Sequence, residues 1–257
     1  MITTDRKMLS LAMNVCEEYL NRNIRPDEFC YNIQSVLYQL LNKYDFDGLL
    51  SDPLLDIELT FVDATEVGGL DQEETKLLDE NAATIKAILS HFAEKTITEK
   101  QAVQLKNDFA AYGWQNCDIC MENKKIIQIE NDLQIVLPQS YKNLIKQFNG
   151  GSPDINCLTY YDENTGVNTT LDVCYFLSLN DREWGNFTTI NNSLRDKNFI
   201  AFASDGSGGL FLFDYNLSRN DPSPYVVYNQ YPDDRSHTEI EVAVSFEEFV
   251  NKLHKDI

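Results

Sequence analysis

The apolar residues of this chain change their period after Gly151, from helical to β-like, and few folds accommodate both parts of that pattern. Before the change they recur every three or four residues, as in helices buried by one face. Leu9, Met13, Cys16 and Leu20 form the first such stripe. Pro26 opens a second helix, with Asp27 and Glu28 in its first turn and Phe29, Ile33, Leu37, Leu40 and Leu41 on its face. Proline suits that position because its missing N–H would have no partner there, and the acids suit the positive helix end. Asp52-Pro53 starts a segment through Leu54, Leu55, Ile57 and Leu59 that reads equally as helix or strand. Asp71-x-x-Glu74 is a capping box with Leu70 as its hydrophobic staple, leading to Leu77, Leu78, Ile85, Leu89 and Phe92. A second box, Thr98-x-x-Gln101, leads into Ala102, Leu105 and Phe109. These signals describe an all-α bundle.

The second half continues with a helix through Ile126, Ile129 and Leu133. Another, started by Pro138, carries Tyr141, Leu144, Ile145 and Phe148 and is stopped by Asn149-Gly150-Gly151. Short β-like runs follow at 158–161, 171–177, 199–203, 210–214, 225–228 and 240–244, with Asp205–Gly209 as a hairpin turn. Ser245-x-x-Glu248 caps a last helix bearing Phe246, Phe249, Val250 and Leu253. Helices, then strands, then a helix make an α+β domain with a mostly antiparallel sheet. The polar stretch Ala93-Glu94-Lys95-Thr96 places the boundary near 94–100, giving two domains, 1–97 and 98–257.

Charge narrows the partners. The chain carries 21 basic and 41 acidic residues, a net −20, which argues against nucleic acid and against an anionic membrane surface. A basic protein would be attracted instead. Twelve acids and one base, Lys76, lie between Asp45 and Glu80, so that segment alone carries −11. A solvated helical face explains it as well as a docking surface does. Its acids are interleaved with Leu, Ile, Phe and Val, as in a partly apolar interface. The opening residues hold no long apolar run, and the cysteines no dense framework, so a cytoplasmic location with free thiols is expected.

Catalytic patterns are weak. Cys117-Asp118-Ile119-Cys120 has no second ligand pair to complete a zinc site, and reads as a coincidence within a core. His91, His237 and His254 suggest no triad, and Asp205-Gly206-Ser207-Gly208 lies between strands, not at a nucleophile elbow. Pairing Asp205 with Asp214 as a hydrolytic dyad would be arbitrary in so acidic a chain. No catalytic residue, metal or cofactor is expected. Tyrosine and tryptophan crowd the second half, where most would pack the sheet and some would anchor a partner.

The second half resembles the SUKH superfamily, which includes the yeast regulator of cell-wall synthesis and many bacterial immunity proteins. The resemblance rests on Ile129-Glu130-x-x-Leu133, Leu137-Pro138-x-x-Tyr141, Leu144-Ile145 and Phe148-Asn149-Gly150-Gly151. It continues through Phe199–Ala203, Gly206–Gly209, Leu210–Asp214, Val226-Val227-Tyr228 and Ser245–Phe249, and covers roughly residues 98–257. The first half looks like small helical immunity proteins of the colicin D type through Glu17-x-Tyr19-Leu20-x-x-x-Ile24-x-x-Asp27-Glu28-Phe29. The resemblance implies a non-enzymatic immunity protein that occludes a basic, nuclease-type toxin. The alternative it implies is a regulatory scaffold. With the acidic segment and the aromatics, it marks Asp52, Asp56, Glu58, Asp63, Glu66, Tyr160, Tyr161, Trp184 and Tyr228 as partner-binding candidates.

Overall fold

The computed structural model describes residues 3–44, 46, 48–50, 52–57, 70–99, 104–162, 166–180, 185–232 and 239–255. The chain divides into two compact units, Met1–Glu99 and Lys100–Ile257.

In the first unit, α1 (Thr3–Leu20) packs against α2 (Pro26–Leu41) and against α4 (Gln72–Thr98). Residues 52–57, left open between helix and strand, are helical (α3), with Leu54 and Ile57 buried. Tyr19 stacks on Phe29 with ring centroids 4.4 Å apart, joining the end of α1 to the start of α2. The Asp71 capping box forms in full: its side chain accepts from the Glu73 and Glu74 N–H groups, and the Glu74 carboxylate accepts from Asp71 N at 2.7 Å. Buried Asp5 holds Lys43 Nζ at 2.7 Å, so its charge is compensated.

Two expectations for α4 change. Leu77 is exposed, and the buried stripe runs through Leu78, Ala82, Ile85, Leu89 and Ala93. At about 100° per residue, Leu77 and Leu78 cannot share a narrow face. The helix also runs on through Ala93–Thr96 to Thr98, because Ala93 is buried and Lys95 suits the negative helix end. Thr98 therefore closes α4, its hydroxyl donating to Lys95 O at 2.9 Å, as part of that helix and not as the cap that precedes one. Gln101 and Ala102 lie outside the described residues; Leu105 is in coil, and Phe109 begins a 3₁₀ turn, Phe109–Tyr112.

The second unit is α+β. A five-stranded antiparallel sheet has the order β5 (Tyr175–Phe176), β6 (Phe199–Ser204), β7 (Leu210–Asp214), β8 (Tyr225–Asn229) and β9 (Ile240–Ala243). A second sheet pairs β10 (Leu253–His254), β3 (Cys157–Asp162) and β4 (Val167–Asp172), and a small ladder joins β1 (Trp114–Gln115) to β2 (Ser152–Pro153). Every residue of β6, β7 and β8 is buried, as in strands covered on both faces. One face meets α6 (Gln139–Ile145) and α8 (Phe246–Lys252) through aromatic rings. Phe202 stacks on Phe213 at 4.3 Å, while Tyr141 and Phe249 approach this pair edge-on at 5.3 and 5.2 Å.

The expected strand 171–177 is two strands in different sheets. Val173 N bonds to Asn156 O, but Cys174 N bonds to Ser204 O, so the chain changes sheet between them. Leu253 leaves the last helix and pairs with Leu158 in β10. Helix α6 ends at Ile145, before Asn149-Gly150-Gly151. The two glycines have φ +69° and +85°, and a Cβ on Gly151 would collide with Gln115 O and Cys117 Sγ. They serve a close backbone crossing, in which Phe176 N reaches Gly151 O at 2.8 Å. One further helix, α7 (Phe187–Ser193), had no apolar stripe to announce it. It is capped by Asn186 and tied to β6 by Asn191, whose amide meets Ala201 N and O at 2.7 and 3.0 Å.

Candidate protein-interaction surfaces

The N-terminal candidates fall on α3 (residues 52–57). Asp52 is exposed at its start; Asp56 is half-buried and accepts from Asn81 at 3.5 Å. Glu58, Asp63 and Glu66 lie outside the described residues. Leu55, on the same short helix, is 54% exposed, so the acid segment does present apolar surface. Not every acid of this unit is available. Arg22 forks onto Asp79 and lies 5.5 Å from the Tyr19 ring centre. The guanidinium holds the Asp79 carboxyl below its ordinary range.

Sequence reasoning passed over two tyrosines. Tyr31 and Tyr38 are 68% and 49% exposed on α2, seven residues apart and so on one side. The signal was present: neither belongs to the buried stripe of Phe29, Ile33, Leu37 and Leu40.

In the second unit the strand period separates two candidates. Tyr160 packs against the core, half-buried. Tyr161 projects from the other face, 61% exposed and paired with Asn168. Beside them β4 is a sheet edge with no residue buried. Trp184 lies outside the described residues. Tyr228 is 4% exposed and is taken up by the fold. Its hydroxyl donates to Asp205 Oδ2 at 2.7 Å, and Asp205 also accepts from Ser207 N and Gly209 N, at 2.8 and 2.9 Å. Burial pushes the Asp205 carboxyl up, but the hydrogen bonds from Tyr228 and Ser207 outweigh it and hold it below its ordinary range. Gly209 is required there, because a Cβ would strike Tyr228 Oη and the Asp205 carboxylate. Asp205 and Asp214 flank opposite ends of β7, so they form no dyad.

Cys117 and Cys120 are exposed, which corrects their assignment to a core. Cys16, Cys30 and Cys157 are buried, and desolvation pushes the Cys16 and Cys30 thiols up to about 12. Ile119, between the exposed pair, is 80% exposed on a loop with a fixed backbone. Asn149 and Asn180 both donate to its carbonyl, at 3.0 and 3.2 Å, and Ser178 donates to the neighbouring Asp118 carboxylate at 2.9 Å. Among the described residues, no three metal-ligating side chains cluster, and no helix is long and apolar enough to cross a membrane.

The comparison with protein families bears on this unit. Residues 123–250, from the start of α5 (Asn123–Leu133) into α8, match the SUKH_6 family model, described as SMI1-KNR4 cell-wall. The C-terminal half of the chain is a SUKH domain. No curated protein matches the chain. The SUKH match takes in the Leu137-Pro138 step, buried Tyr141, the glycine crossing and the aromatic sheet. Helices α1–α4 lie outside it, as do the Cys117–Cys120 loop and the 3₁₀ turn. The SUKH assignment supports an immunity-type or regulatory protein-binding domain.

Proposed function

We propose that this chain is an immunity protein that binds a basic toxin, of the nuclease class, and neutralises it by occlusion without catalysis. The observation that carries this reading is the net charge of −20 on a chain containing a SUKH domain. A nuclease needs a basic groove for phosphates, and an acidic surface can fill or shield that groove. Charge would steer the encounter, and exposed side chains among the acids would slow dissociation. Asp52, Asp56, Glu58, Asp63 and Glu66 are the proposed acidic contacts, with Tyr161 as an aromatic anchor of the SUKH domain; Tyr31 and Tyr38 extend the set. The cytoplasm, where a thiol-bearing chain stays reduced, is the proposed site of action.

The test is co-expression with the toxin gene adjacent to this one, followed by association kinetics on the purified pair. Rescue of growth is expected, with an association rate that falls steeply as salt rises past ~0.15 M, where the Debye length is about 8 Å. A toxin that kills equally with and without this chain would remove the reading. A rate indifferent to salt would remove its electrostatic part.

A second reading is favoured by the description of the matching family as cell-wall related: a regulatory scaffold for a cell-envelope or signalling partner. It predicts no toxin gene beside this one and several partners in place of one.

A further inference from the structure

The chain is acidic as a whole, but one stretch is not. Residues 105–150 hold five bases and five acids, a local balance of zero within a chain of −20. Two of those bases line one open cleft of about 890 Å³, between the loop 105–110 and the C-terminal end of α6. Leu105 and Ala110 supply the accessible apolar lining, and Lys106 and Lys146 the positive charge. Among the described residues Asp108 is the only acid of the lining, and Asn107, Asn143 and Gln147 add polar groups.

The walls are held in place. Asn251 of α8 clamps the loop from both sides, accepting from Lys106 N at 2.8 Å and donating to Gln104 O at 2.7 Å. The Trp114 indole N–H donates to Phe109 O at 2.7 Å and fixes the other end. On the opposite wall, the Gln147 amide donates to Asn143 O at 3.3 Å. The loop bearing exposed Ile119 adjoins this wall, since Cys120 Sγ donates to Gln147 O at 3.4 Å. A cleft with a fixed outline loses little freedom when filled.

We infer that this cleft is a docking site for an extended, carboxylate-bearing protein segment, with an apolar side chain on Leu105 and Ala110 and a carboxylate between Lys106 and Lys146. Charge complementarity selects that occupant. An anion is drawn to two ammonium groups facing one carboxylate, and a cationic segment would settle on the acidic surfaces elsewhere. The open outline fits a chain segment better than an enclosed small molecule. The site differs in sign from the surface proposed for the toxin, so its partner is a different one, and either proposal can fail without the other.

The test uses the full chain, isotopically labelled, and a short acetylated peptide alternating Leu with Asp and Glu. Its isostere with Asn and Gln serves as control. Because the whole protein repels such a peptide, non-specific electrostatics work against a false positive. Saturable amide shifts confined to residues 105–110 and 143–147 are expected. The isostere should bind at least about tenfold more weakly, a difference of about 1.4 kcal/mol. The double variant K106E/K146E, checked for an otherwise unchanged amide spectrum, should lose the shifts. Equal binding by the isostere, unchanged binding by the double variant, shifts elsewhere, or no saturable signal would each overturn the site.

Discussion

The two units solve the same problem, burying enough apolar surface, with contacts of different range. In the helical unit each stripe is local: Phe29, Ile33, Leu37 and Leu40 follow one another along α2, and Leu78, Ala82, Ile85 and Leu89 along α4. In the SUKH domain the central pair is Phe202 with Phe213, from different strands, closed by Tyr141 and Phe249 from two helices far apart in sequence. The helical unit therefore leaves whole helix sides to carry charge and exposed tyrosines. The SUKH domain spends its central strands on both faces and, among the described residues, presents edges, loops and a cleft instead. Local packing frees surface, whereas non-local packing consumes side chains such as Tyr228 that composition would assign to binding.

The largest expected effect attacks the non-local core. Phe202→Ala should destabilise the SUKH domain by about 3–5 kcal/mol, through lost burial and a cavity among rings that cannot collapse. Urea unfolding followed by tyrosine and tryptophan signals would read it. A loss below about 1 kcal/mol would mean that the aromatic cluster is not where the domain's stability resides.

Next comes the Asp205 turn. Tyr228→Phe should cost about 1–2 kcal/mol near neutral pH, because it removes a hydrogen bond to a carboxylate in a partly buried place. The sign of the pH dependence follows from the lowered carboxyl. Its contribution is present above the ordinary carboxylate pKa of about 4 and is lost as pH falls through the folded value. The difference between wild type and variant should therefore shrink in acid. A gap that stays constant down to about pH 2 would show that Asp205 is not the partner that matters.

Two smaller effects concern single polar groups. Asp71→Ala should destabilise the helical unit by about 1 kcal/mol by breaking its capping box, measured as loss of helical ellipticity on heating. Tyr141→Phe should be neutral or stabilising by up to about 1 kcal/mol, since its buried hydroxyl has no hydrogen-bond partner among the described residues. Chemical denaturation decides this one: a clear loss of stability would point to a polar partner for that hydroxyl.

The smallest effect on stability carries the sharpest contrast in function. The variant D52N should change stability by less than about 0.5 kcal/mol, yet slow association with a basic toxin. An unchanged association rate would move the proposed contact away from α3.

Much of this was legible from the amino-acid order alone. The change of period placed helices before strands; Pro26 and the Asp71 box marked two helix starts; and the chain of short motifs from Ile129 to Phe249 pointed to the SUKH fold. These are local or ordered signals, written into spacing and caps. Helix α7 was not legible, because it shows no apolar stripe and is tied to the sheet by Asn191, bonded to a strand ten residues away. The division of 171–177 between two sheets was not legible either, since the change of partner at Val173 and Cys174 depends on where residues 156 and 204 lie.

The same distinction governs the candidate site. Sequence alone determined the charge, its concentration between Asp45 and Glu80, and the helical and β-like character of the two halves, because each is a property of residues or of their neighbours. Only tertiary structure decided which side chains are free to meet a partner. It buried Tyr228 on a carboxylate, turned Tyr160 and Tyr161 to opposite faces, exposed Cys117 and Cys120, and shaped a lysine-lined cleft with a clamp from α8. Exposure is set by what packs from elsewhere in the chain, and spacing along the backbone holds no record of that.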